Sequence, residues 1–275
     1  MASEIVTTTT TAAGLVERVQ GITLAKFLVS SRLFDVCNQK QANMAGSVQW
    51  AIPMAPSGLI ASAQTEANAA TSHALTLSAA TATIAEYPFQ TLLSERLVNA
   101  GTYTEEEIAG HLAAAVVNGI DKAIAGQFPD FSVTVSGATM SYAVFNSAYT
   151  NLRNQGFVGQ PVCVLGETQW ASLLADLTSK YVPMTNDEIA SRGYVGTLRG
   201  VEVYTVPDYC LAAGDTVGKT GAMFFREVGV GFGYHDPLIK VKVTPYDTVN
   251  NYYGATSQFG VTEISPFGGV QIEAN

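Results

Sequence analysis

The sequence predicts an α+β fold. Three observations carry that expectation: one long helix with a narrow apolar stripe, several short segments with the two-residue period of strands, and a middle region where helix and strand patterns alternate closely. The long helix is the element around which the rest is organised. Thr104 followed by Glu107 is a capping-box pattern. Glu105, Glu106 and Glu107 place negative charge at the positive end of the helix dipole. Ile108, Leu112, Val116, Ile120 and Ile124 recur every four residues, so they share one face. Ala109, Ala113 and Ala123 keep another face thin, and Gly126 with Pro129 stops the helix. From its cap at Thr104 to its stop at Gly126 the helix makes roughly six turns, about 33 Å at 1.5 Å per residue, long enough to be a spine for sheets.

The remaining elements follow in order. Residues 1–20 carry a threonine run from Thr7 to Thr11 without core periodicity, which predicts a mobile arm. Gly21 to Cys37, with Leu24, Phe27, Leu28 and Leu33, predicts a short amphipathic helix packed on the body or on a neighbour. Val48, Trp50 and Ile52 alternate with small or polar residues, and Leu75, Leu77, Ile84 and Tyr87 mark a return. The two arms around a long small-residue tip predict an extended hairpin over 38–88. Its residues are too small to build a core, and an isolated two-stranded ribbon is marginal in water, so it needs something to lie on. After the spine, FSVTVSG predicts a strand. Tyr142, Phe145, Ala148 and Leu152 predict a helix ended by Gly156, and Val162, Val164 and Leu165 a buried strand. Trp170, Leu173, Leu174 and Leu177 predict a further helix. Beyond polar DEIASRG, Gly200 suits a tight turn before alternating Val201, Val203 and Thr205; AMFFREVGVGFGYH, LIKVKV and QFGVTEISPFGGVQIE read as strands.

Composition narrows the function classes. Hydrophobic residues make up 47% of the 275-residue chain and charged residues only 13%, against about 25% charged in ordinary soluble domains. So little charge suggests a surface covered by something else, and the readings are a compact Ala- and Thr-rich globular protein or extensive self-association. The net charge of −9 and the pI near 4.8 argue against general nucleic-acid binding through a basic face. Cys37, Cys163 and Cys210 are odd in number and unpaired in spacing, which predicts free thiols rather than disulfides or a zinc site. The N-terminus lacks a secretory pattern and no apolar run approaches the ~18 residues of a membrane span; the chain is expected to be made and used in the cytoplasm, with no membrane partner.

No catalytic, cofactor-binding or metal-ligating residue is assigned, and no cofactor is expected. Ala213 to Thr220, AGDTVGKT, fits a relaxed phosphate-loop pattern, but such a loop needs a helix after it. GAMFFREVGVGFG follows with the composition of a strand, so a turn between strands is expected. Gly229, Gly231 and Gly233 lack dinucleotide-binding spacing and suggest a strand or bulge. Of the histidines, His73, His111 and His235, none has metal spacing; His111 falls off the apolar stripe, and His235-Asp236 before Pro237 reads as a turn.

The order of elements, taken with particular stretches, resembles the major capsid proteins of tailed bacteriophages (the Hong Kong phage capsid fold). WAIPMAPSGLIASAQTEANAATSHALTL is similar to the extended loop of that family and TEEEIAGHLAAAVVNGIDKAIAG to its spine helix. YVGTLRGVEVYTVPD and GKTGAMFFREVGVGFG resemble its axial-domain strands, and the final VTPYDTVNNYYGATSQFGVTEISPFGGVQI its closing peripheral strands. The resemblance covers most of the chain from about residue 21. It implies an N-terminal arm over 1–37, an extended β-hairpin loop over 38–88, a peripheral domain with the spine helix over 89–139 and 238–275, and an axial domain over 140–237. It further implies a structural shell protein, not an enzyme, located in the virion capsid and assembled in the host cytoplasm. Copies would form hexamers and pentamers of an icosahedral shell around double-stranded DNA, without sequence readout. Scaffolding, portal and decoration proteins would be further partners, and Arg96 or Lys122 candidates for the inner face. The alternatives are an encapsulin-like nanocompartment shell protein and a soluble nucleotide-binding enzyme built on Ala213–Thr220.

Overall fold

The computed structural model describes residues 17–27, 32–42, 46–53, 78–94, 104–180, 194–214, 218–245 and 250–275. The threonine run, the hairpin tip with Leu75 and Leu77, His73, Arg96 and DEIASRG lie outside these residues. The order is helix α1 (17–27), a 3-10 turn at Phe34–Val36, β1 (Asn38–Gln41), β2 (Ser47–Ala51), β3 (Ala79–Thr83), β4 (Ala85–Ser94), the spine helix α2 (Glu105–Ala125) and β5 (Thr134–Ser136). Then come α3 (Tyr142–Asn154), β6 (Pro161–Gly166), α4 (Glu167–Lys180), β7 (Tyr194–Leu198), β8 (Val201–Val206), β9 (Lys219–Phe225), β10 (Val230–Pro245), β11 (Asn250–Glu263) and β12 (Gly269–Ala274).

The spine helix forms as its sequence dictates. Thr104 accepts from the Glu107 N–H at 3.2 Å, and the Glu107 carboxylate accepts from the Thr104 N–H at 2.8 Å, so the capping box is closed. That backbone hydrogen bond, ahead of the one from the Thr104 hydroxyl, holds the Glu107 carboxyl below its ordinary range. Ile108, Leu112, Val116, Ile120 and Ile124 are all buried, each contributing roughly 1.5–3 kcal/mol over exposure. They pack with Phe232, Ile239 and Val241 of β10 and Ala255 and Phe259 of β11. The helix is long and apolar enough to cross a membrane, but 56% of that window is buried inside the fold, where its apolar face meets the sheet.

Two sheets share this core. One is four-stranded in the order β1-β10-β11-β4, with β1 parallel to β10 and the other pairs antiparallel. The other is six-stranded in the order β5-β12-β9-β6-β8-β7. In β9, Ala222 and Phe224 join the spine-helix core, while Met223 and Phe225 face a second core with Phe145 and Leu152 of α3 and Leu173 of α4. Cover on both faces explains why β6 and β12 are buried at every position. β6 accordingly reads as an apolar run, whereas β12 buries Gln271 and Glu273, which are hydrogen-bonded to each other and to Thr134 and Ser136 of β5. α3 is capped by Ser141 and ends before Gly156, whose φ is +83°. In the turn 199–200 Gly200 has φ +75°.

Several expectations are corrected. Residues 17–20 are not arm but helix: Val19, Thr23 and Phe27 recur every four residues, and each is buried. Helix α1 thus starts before Gly21, while Asn38–Gln41, directly after Cys37, are strand. Leu24 points outward, whereas Phe27 and Leu33 enter the core; Leu28 lies outside the described residues. In α4 only Leu173 of the expected stripe is buried; Leu174 is 45% exposed. His235 and Asp236 form no turn between elements. They lie inside β10, where the register with β11 shifts between Tyr234 and Ile239. β10 therefore runs without interruption through the domain division expected at 237/238, and β12 of the closing segment lies in the six-stranded sheet.

Candidate functional site

The phosphate-loop look-alike is a turn. The Gly214 N–H donates to the Gly218 carbonyl at 3.0 Å, Ala213 bridges Lys219, and Lys219 begins β9 rather than a helix. The helix that such a loop needs directly after it is, among the described residues, replaced by the strand pairing of β9. Gly218, at φ +64°, lies against the Ala274 carbonyl. Asp215, Thr216 and Val217 lie outside the described residues. His111 is exposed on α2, and His235 Nδ1 lies 3.1 Å from the Ala42 carbonyl. All three cysteines are buried free thiols. Burial pushes Cys37 and Cys163 well above the ordinary thiol range, and Cys210 up to about 11. Among the described residues no group of three or more His, Cys, Asp or Glu could hold a metal.

The hairpin has a built seat, one the sequence did not reveal. β2 pairs antiparallel with β3, and only Val48 and Trp50 of β2 are buried. Trp50 lies over Gly231 and Val48 over Gly233. A Cβ at Gly231 would come within 2.9 Å of the indole, and one at Gly233 within 3.0 Å of Val48. The glycines of G-x-G-x-G are thus the flat floor on which the ribbon rests. Ala42, Ala82 and Ile264 complete this small cluster. Lys40 lies 5.3 Å above the Trp50 ring and donates to the Gln49 carbonyl at 2.9 Å. The base of the ribbon therefore lies on its own sheet.

A second joint fastens the segment before the ribbon. Asp121, on the buried face of α2, accepts from the Leu33 N–H at 3.2 Å and faces Arg32 at 3.8 Å. Burial raises the Asp121 carboxyl to about 7 against the opposing pull of Leu33 and Arg32. Arg226, between β9 and β10, pairs with Glu202 and donates to the Tyr204 hydroxyl at 3.0 Å and the Asp35 carbonyl at 3.3 Å. Phe34 meets Phe27, Phe232 and Tyr234 edge to face. The only sequence sign of this joint is an aspartate beside Ile120 and four residues after Val117. Lys122, the candidate inner-face cation, is exposed on α2.

Apolar surface is left open elsewhere. β4 is an edge strand whose Tyr87, Phe89 and Leu92 are 43%, 40% and 46% exposed. Tyr87 stacks on Phe259 at 4.2 Å, so its ring is held rigid. Val158, in the link between α3 and β6, is 96% exposed. A long edge strand with apolar side chains is a surface that invites pairing with another chain. What the arrangement offers is contact area.

No family profile and no curated protein sequence matches the chain. Solved structures do. The capsid structure of cyanophage P-SCSP1u matches at a TM-score of 0.60 and 12% identity, over 90% of this chain and 89% of that one. A virus-like particle from Pyrococcus furiosus matches at 0.62 and 11%, over 94% and 99%. The holo-SrpI encapsulin complex from Synechococcus elongatus matches at 0.58 and 8%, over 88% and 86%. With its spine helix, its ribbon seated on glycines and its two sheets, the chain has the fold of phage capsid and encapsulin shell subunits, the Hong Kong phage capsid fold.

Proposed function

We propose that the chain is a structural shell subunit, the major capsid protein of a tailed phage, which self-assembles into an icosahedral capsid around double-stranded DNA. The observation that carries this reading is the likeness to shell subunits across about nine-tenths of both chains. The charge-poor composition and the exposed apolar edge strand support it, since both suit a surface covered by further copies. In this reading the four-stranded sheet and spine helix make a peripheral region and the six-stranded sheet an axial one. The parts of the loop 38–88 and of the arm 1–37 that do not pack on the chain's own core and sheet reach neighbours within hexamers and pentamers, which close the shell by repeated heterologous contacts. Scaffolding, portal and decoration proteins complete the particle, which forms in the host cytoplasm and ends as the virion. The role is structural, not enzymatic.

A second reading, an encapsulin-like nanocompartment, is favoured by the match to an encapsulin at a comparable TM-score. The nucleotide-enzyme reading gains nothing from a loop that leads into a strand. The test is size-exclusion chromatography of the full chain followed by negative-stain electron microscopy. Closed shells, or rings of five or six subunits, are expected. DNA inside particles from the native source marks a phage capsid, and a packaged protein marks a nanocompartment. A chain that stays a 29.0 kDa monomer at high concentration overturns both.

A further inference from the structure

Arg199 is the one described non-glycine residue with left-handed backbone, at φ +55°. With Gly200 it makes the tight turn between β7 and β8, where asparagine or glycine is the ordinary choice at such a φ. An arginine held there against its backbone preference points to a use for its side chain. The Arg199 guanidinium lies 4.7 Å from the centre of the Tyr149 ring on α3. Arg153, one turn further along α3, lies 5.4 Å from the same ring, and its Nε donates to the Tyr149 hydroxyl at 3.3 Å. Arg153 also lies 5.7 Å from the Phe225 ring. Both arginines are exposed, and neither has a carboxylate partner among the described residues. Val158 belongs to the same end of the six-stranded sheet, because β6 and β8 run parallel and both begin there.

Two like charges held against one ring repel each other, which offsets part of what each gains from the ring in a single copy. They present two planar donor forks on a rigid aromatic base, an arrangement that binds carboxylates in bidentate fashion. We propose that Tyr149, Arg153 and Arg199, together with Val158, form a docking patch for a carboxylate-bearing surface of a second copy of this chain. Charge complementarity identifies the occupant: each copy carries 23 acidic residues against 14 Lys and Arg. Arginine and tyrosine beside an apolar knob also match the composition of protein-interface centres. The inference rests on the shell reading and names one of its contacts.

The experiment follows assembly of the purified full chain against subunit concentration and NaCl, by light scattering and negative-stain microscopy, with thermal melts as the folding control. In Arg153→Glu/Arg199→Glu the concentration for half-assembly rises at least about tenfold, and added salt weakens assembly of the wild type more than that of the variant. Arg199→Gly fits the left-handed turn better, so it melts at or above the wild-type temperature yet assembles poorly. A merely structural arginine would not separate the two readouts. If the wild type assembles and both variants assemble at the same concentration and salt dependence, this inference falls alone. If the wild type never assembles, the shell reading falls and takes this patch with it.

Discussion

Gly231→Ala isolates the seating of the ribbon. The added methyl would come within 2.9 Å of Cδ2 and Cε2 of Trp50 and 3.1 Å of Cε3. These are atoms of a fused ring that is 2% exposed, not the free end of a flexible chain. The ring cannot step aside, so β2 and β3 must lift from β10. Overpacking of this kind costs about 1–3 kcal/mol. The cluster under the ribbon is small, so the penalty falls on local opening of the ribbon rather than on global unfolding. Converted at tenfold per 1.4 kcal/mol, amides of 47–51 and 79–83 should exchange roughly 5- to 150-fold faster, while those of the spine helix keep wild-type protection. Hydrogen exchange read by mass spectrometry resolves these segments. The same substitution in a Trp50→Ala background has nothing left to strike, so the two changes must be strongly non-additive. Unchanged ribbon exchange in Gly231→Ala, or simple additivity in the pair, refutes the seating.

Further expectations concern single sites. Asp121 titrates near 7 in the folded chain, above its ordinary value, because burial disfavours its charge. Folding is therefore penalised progressively as pH rises from about 4 through 7. Melting temperature should fall over that window, and Asp121→Asn should flatten the fall; an unaltered pH profile in the variant contradicts the assignment. Glu263, raised to about 7 by burial and then by Asp130, should add to the same trend, and Glu263→Gln should reduce it. Thr104→Ala opens the capping box and should cost about 1 kcal/mol in denaturant unfolding; a shift under a third of that would place the helix start elsewhere. Lys219→Ala should leave ATP and GTP titrations as flat as in the wild type, since Lys219 is paired into a strand; nucleotide binding that the substitution abolishes would revive the enzyme reading.

What the sequence determined on its own is what depends on near neighbours. Thr104, Glu107 and the four-residue stripe place the spine helix almost to the residue, because caps and amphipathic periodicity act within one or two turns. The β7–β8 turn at Gly200, the end of α3 at Gly156 and the fate of Ala213–Thr220 were legible for the same reason: each turns on local backbone preference. Tertiary structure decided the rest. Val19 and Phe27 show no stripe in sequence because Thr23 stands between them; the threonine is buried only because its hydroxyl returns to the Val19 carbonyl. Leu174 reads as core but faces outward, since α4 has a sheet on one side only. Gly231 and Gly233 become meaningful when Trp50, nearly two hundred positions earlier, is laid on them by the pairing of β1, β10 and β11. The Tyr149 patch likewise needs α3 and the β7–β8 turn side by side. Contacts between residues so far apart leave no periodic trace, because each partner alone satisfies only the weak demand to be small, aromatic or charged.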